Sequence, residues 1–196
     1  MCIENNMKES SSSSAPAPTS AESTHLQPTD DSTMTPHHAL SSGWTLWCHL
    51  PHDTDWSLKS YIKLYDFNTV EQAVSATEML PPKLVMNCML FLMREGITPI
   101  WEDVRNRNGG CFSYKVNNKD VQDCWRQLTY ALVGNSISTN KTLLPAVNGI
   151  TISPKKNFCI VKVWLANCKF QNAAVINEMI GISPHGCLFK KHTPEY

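Results

Sequence analysis

Gly96-Ile-Thr-Pro-Ile-Trp-Glu-Asp103, followed by Arg105, Arg107 and Asn108-Gly109-Gly110, lies between two strand-like runs. Upstream, Val85 to Met93 is apolar enough for a buried strand, and Arg94-Glu95-Gly96 turns the chain. Downstream, Asn108-Gly109-Gly110 is a turn and Cys111 to Val116 reads as the next strand. The run is therefore a loop carried by a sheet. It sets an indole, Trp101, beside a carboxylate, Glu102, with Arg105 and Arg107 just beyond. A ring for stacking, an acceptor for N–H groups on a base edge and cations for phosphate are what a positively charged purine nucleotide requires.

Working outward, Trp44 to Leu50 alternates as a strand, with Trp44, Leu46, Cys48 and Leu50 on one face. Pro51 to Asp55 is a loop with Trp56 at its far end, and Ser60 to Phe67 is a second strand. Asn68-Thr-Val-Glu71 has the pattern of a capping box, opening a helix that Pro81-Pro82 stops near Leu80. Asn118 can cap a further helix, whose stripe is Val121, Cys124, Trp125, Leu128, Ala131 and Leu132, with Gly134 as its C′ residue. Val147 to Ile152 and Phe158 to Leu165 read as paired strands. Residues 171–180 read as a short helix, and Gly186 to Lys191 as an edge strand. Hairpin-length connections predict an α+β fold: one mostly antiparallel sheet with helices on one face and loops on the other.

The first 36 residues differ from the rest. Ser, Thr and Pro fill 17 of those positions, so little apolar area is available to offset the entropy of ordering. A disordered tail over 1–36 and a folded domain over 37–196 are expected, the tail being either a plain solvated extension or the carrier of phosphorylation or a partner motif. Charge is balanced, 17 basic against 17 acidic residues, which disfavours bulk, sequence-independent nucleic-acid binding. The eight cysteines form no CxxC pair, and the N-terminus has no apolar signal segment, so free thiols in a reducing compartment are expected. The longest apolar stretch is too short to span a bilayer. No metal or cofactor site is expected: His49 and His52 lack a cysteine pair at zinc spacing. No nucleophile–base pair or phosphate-binding loop argues for an enzyme.

Trp44 and Trp125 sit in periodic runs and read as packing residues; Trp56 and Trp101 lie beside loops and read as a binding surface. The landmarks His38-Ala-Leu, Trp44-Thr-Leu-Trp47, Trp56, Asp66-Phe-Asn-Thr-Val-Glu71, Gly96 to Asp103, Asn106-x-Asn-Gly-Gly110, Trp125 and Trp164 occur in an order and spacing that resemble the messenger-RNA cap-binding translation initiation factor 4E family. The resemblance covers residues 38–191. It implies a single curved antiparallel sheet with three helices on its convex face and a cap site on the concave side. Trp56 and Trp101 would sandwich the 7-methylguanine, each face contributing about 1–3 kcal/mol. Glu102 would accept N–H bonds from its edge, and Trp164 would lie near the methyl group. For the phosphates, Lys155 falls where the family has Arg and Lys156 follows it; the family's other basic positions are Ile160 and Cys111 here, for which Lys162 and Arg105 or Arg107 would substitute.

On the convex side the family binds a helical peptide of the scaffold factor 4G or of repressors. The residues matching that face are His38, Val70, Val74 and Arg126. Val74 stands where the family has an anchoring Trp, Ala39 where it has Pro, and Arg126 where it has an apolar residue. A scaffold partner with a non-consensus motif is therefore expected. The resemblance further implies a non-enzymatic, monomeric, cytoplasmic factor, with the nucleus as a second location. Its early C-terminus is similar to the short forms of kinetoplastid protozoa, whose messages carry a hypermethylated cap. The competing reading is a translational repressor or scaffold-interaction protein with the same fold and weak cap binding.

Overall fold

A computed structural model describes residues 37–192, which form one curved seven-stranded sheet with three α-helices. The expectation for the tail, 1–36, lies outside the described residues. The strands are β1 (Ala39–His49), β2 (Tyr61–Thr69), β3 (Met89–Arg94), β4 (Gly110–Asn117), β5 (Val147–Pro154), β6 (Phe158–Leu165) and β7 (Leu188–Lys191). Their spatial order is β2-β1-β3-β5-β6-β4-β7, and every neighbouring pair is antiparallel. Helices α1 (Val70–Glu78), α2 (Pro82–Asn87) and α3 (Val121–Val133) complete the expected α+β architecture.

Period-two alternation divides the sheet into two faces. Trp44, Leu46 and Cys48 of β1, Leu90 and Leu92 of β3, and Val161, Val163 and Leu165 of β6 share one core with Ala73 of α1 and the stripe of α3. Their neighbours point the other way. Phe91, Met93 and Trp164 form a smaller cluster on the opposite, open face, with Trp47, Tyr61 and Met89 packed on it. Trp44 and Trp125 are core residues, as their periodicity predicts.

One irregularity sets what the open face carries. Leu46 pairs with Tyr65 but Trp47 pairs with Lys63, so Leu64 is an extra residue in β2. Such a bulge inverts the alternation. Phe67 consequently packs against the helices, while Tyr61 at the other end of the same strand joins the open-face cluster. Close approach matters at the start of β4. A Cβ on Gly109 would sit 1.7 Å from the Leu165 carbonyl oxygen, so only glycine lets β4 begin there.

Several local expectations are corrected. The first helix begins one residue later than expected: Thr69, not Asn68, is the cap, its hydroxyl accepting from Gln72 N at 3.3 Å. Glu71 instead accepts from His38. Pro82 does not only end α1; as the first residue of α2 it starts a new helix, so Val85 is helical and the buried strand begins at Met89. Asn118 opens a short 3-10 turn and caps nothing in α3, and Asn135 (φ 53), not Gly134, takes the left-handed conformation after that helix. The helix expected over 171–180 is only a 3-10 turn, Ala173–Val175. Asn177 N donates to Ile137 O at 2.9 Å and its side chain to Ser136 O, which hold that segment extended.

Candidate functional site

The open face carries a cleft of about 280 Å³ lined by Trp56, Trp101, Glu102, Trp164 and Lys162. Tyr61, Met89 and Phe91 form its floor. Strands β2, β3 and β6 and two loops, the β1–β2 connection with Trp56 and the β3–β4 connection with Trp101 and Glu102, bring these residues together.

The loop bearing Trp101 and Glu102 is held from behind. Asp103 accepts from Thr98 N (2.8 Å), Thr98 Oγ1 (2.6 Å) and Arg105 N (2.8 Å). Burial alone would raise the Asp103 pKa, but these bonds and the Arg105 charge outweigh it, and the net shift is downward. Asn106 is fully buried and donates to the carbonyls of Thr98 and Ile100 at 3.0 and 2.8 Å. Its own side-chain oxygen accepts from Asn148 at 2.9 Å. With the buried amide satisfied, the loop's backbone is fixed and Trp101, 41% exposed, projects outward.

Trp56 is fixed by a different device. The His49 imidazole stacks on its indole, centroids 4.3 Å apart and planes within 4°. The same imidazole donates from Nε2 to Asp55 O at 2.9 Å and meets Tyr61 edge-on at 5.1 Å. His49 is buried although Trp56 is 58% exposed, and it does not line the cleft. The histidine thus backs the indole, leaving its other face to the cleft.

Trp164 donates from Nε1 to Thr151 Oγ1 at 2.8 Å and lies 4.7 Å from the His192 ring. Burial holds the His192 imidazole below its ordinary pKa, so it stays neutral at neutral pH; its Nδ1 donates to Asn106 O at 2.7 Å. The Tyr61 pKa is raised, first by burial and then by the nearby Glu102 carboxylate. Glu102 lines the cleft, where it can accept from N–H donors on a bound ring.

Of the expected phosphate cations, Lys162 alone lines the cleft. Lys155 and Lys156 are exposed in the β5–β6 turn, and the Lys156 carbonyl accepts from Asn118. The Arg105 guanidinium donates to Gly96 O (2.9 Å) and Glu95 O (3.4 Å), bracing the loop. Arg107 follows in the same loop and is not a cleft-lining residue. His49, Tyr61, Asp103 and Asn106 are contributors that sequence reasoning missed. The Asn106-x-Asn-Gly-Gly110 pattern was the only trace of the last of these.

On the helix side, His38 and Glu71 pair at 2.6 Å, and this bond draws the Glu71 carboxyl down to about 2. Val70 and Val74 are each 43% exposed, and Arg126 is paired with Asp123 at 2.7 Å, so its charge is partly offset.

A single antiparallel sheet with helices on one face and an aromatic cleft bearing a carboxylate on the other defines a ligand-binding α+β domain. The chain belongs to the eukaryotic initiation factor 4E family, whose signature it matches over residues 39–192. It is 31% identical over 177 residues to eukaryotic translation initiation factor 4E-2 of Schizosaccharomyces pombe, covering 81% of this chain and 66% of that protein. It is 29% identical to the Candida albicans factor 4E over 155 residues, covering 73% of this chain and 71% of that one. Its fold is similar to Ascaris suum eIF4E-3 in complex with the m7G cap (TM-score 0.62, 23% identity, 68% of this chain and 76% of that one). It is similar also to C. elegans eIF4E-3 with the 4E-binding protein Mextli and a cap analog (TM-score 0.61, 24% identity, 68% and 76%). Among the described residues, no helix is long and apolar enough to cross a membrane.

Proposed function

We propose that this protein binds the 7-methylguanosine cap of messenger RNA in translation initiation. The observation that carries the reading is one cleft uniting Trp56, Trp101, Glu102, Trp164 and Lys162. The methylated base, cationic through N7, stacks between the Trp56 and Trp101 indoles, gaining cation–π attraction that unmethylated guanine lacks. Glu102 accepts from the guanine edge, which adenine cannot satisfy. Trp164 borders the methyl group, and Lys162 meets the first phosphates. Lys155, Lys156, Arg105 and Arg107 act on phosphate further out. The role is binding rather than catalysis, carried out by a cytoplasmic monomer.

The helix face formed by His38, Val70, Val74 and Arg126 takes a scaffold peptide whose motif differs from the family consensus. A neighbour in fold is a complex with a 4E-binding protein, which supports a partner on this family's scaffold. Retention on a 7-methyl-GTP resin, released by 7-methyl-GTP and not by GTP, tests the cap reading. A protein that washes through, or that GTP elutes equally well, contradicts it.

A further inference from the structure

From the cleft, the open face continues along β6 and β4. Its positions on β6 are Trp164, Lys162, Ile160 and Phe158, and Lys115 of β4 stands directly opposite Ile160. Lys115 and Lys162 are diagonal cross-strand neighbours on one face, a separation of about 7–8 Å in ordinary sheets. Lys190 of β7, opposite Cys111, extends the same face. Among the described residues, no outward position of β4, β5, β6 or β7 holds a carboxylate, although the whole chain is electrically neutral. The positive charge is therefore local to this strip. Beside it is an aromatic ring: the Lys115 ammonium sits 4.6 Å over Phe158.

We propose that this strip is a second nucleotide site, taking the first nucleotide after the cap. The inference rests on the cap reading above. Lys162 and Lys115 face the bridging phosphates, and Phe158 presents its ring to the next base. Trp164 and Phe158 are six positions apart, about 20 Å along a strand, a span that an extended nucleoside–triphosphate–nucleoside covers. An exposed cation–π pair is weak, so Lys115 exchanges the ring for phosphate and leaves Phe158 to the base. Stacking on one ring accepts any base, so the site lengthens the contact without choosing a sequence.

The test compares 7-methyl-GTP with the capped dinucleotide m7GpppA on the full chain. Phe158→Ala is expected to weaken m7GpppA about tenfold more than 7-methyl-GTP. Phe158→Tyr, which keeps the ring, restores dinucleotide binding. Lys115→Gln weakens the dinucleotide and lowers the slope of log K against log salt by about 0.7. Wild-type affinity of Phe158→Ala for m7GpppA overturns the second site while leaving the cap reading intact. Failure of the wild-type protein to bind either ligand overturns the cap reading, and the second site with it.

Discussion

The His49 imidazole lies flat against the Trp56 indole at 4.3 Å, with its Nε2–H anchored on the Asp55 carbonyl. A loop aromatic more than half exposed is thereby given one orientation before any ligand arrives. Preorganisation of this kind cuts the ordering cost of binding.

His49→Ala should therefore weaken 7-methyl-GTP binding about 2- to 10-fold, the worth of one aromatic pair. His49→Phe keeps the stack and should recover most of the loss. Acrylamide quenching of the free protein provides the independent readout: Trp56 should become more accessible in His49→Ala and not in His49→Phe. A role confined to overall stability would not separate the two variants in this way.

Glu102→Gln removes charge while keeping size. Affinity for 7-methyl-GTP should fall about 10- to 150-fold, the range of a charge-assisted bond pair. The melting temperature should stay within about a degree, because Glu102 is exposed and surface changes away from special features are near neutral.

Asn106→Ala should behave in the opposite sense. It removes the Asn106 donor from the Thr98 carbonyl and one of two partners from both the Ile100 carbonyl and the Asn148 amide. A loss of about 1–3 kcal/mol is expected, or roughly 2–10 °C in Tm for a domain of this size. Thermal unfolding beside Glu102→Gln separates the residue that reads ligand from the residue that builds the loop.

The His38–Glu71 pair makes a pH prediction. The Glu71 carboxyl is drawn down to about 2 in the folded state from 4.5, by the His38 bond first. A depressed carboxyl contributes stability above its unfolded pKa, and loses it as pH falls through the folded value. An NMR titration should place the Glu71 midpoint well below 4.5, and Glu71→Gln should flatten the acid limb of stability. Both groups are solvent-exposed, so added salt should move the midpoint upward.

Much of this arrangement was legible in the sequence because strands advertise themselves by period two. Trp44 to Cys48 and Phe158 to Leu165 each sorted their residues onto the faces that the fold uses, whereas Leu50, expected on the face of Trp44, lies past the end of β1 and is exposed. The Trp101–Glu102 loop and Trp56 were visible as large aromatics in polar, turn-rich surroundings. Tyr61 was not, since a bulge at Leu64 turns it to the open face and nothing in the residue pattern of β2 marks where that bulge falls. The second proline of Pro81-Pro82 was read only as a terminator, although a proline at the first helical position starts a helix as readily. Residues 171–180 carry a helical pattern that tertiary bonds from Asn177 override. Lys115 could not be found along the chain: its nearness to Lys162 arises from the β4–β6 register, 47 residues apart in sequence.

The central claim is that Trp101 and Trp56 form one cap pocket, and a fluorescence titration tests it most directly. The protein is titrated with 7-methyl-GTP and with GTP, and Trp101→Ala is run beside it. Saturable quenching by the methylated ligand alone, absent in Trp101→Ala, is the predicted result. Quenching that ignores methylation, or that survives unchanged in Trp101→Ala, would contradict the account.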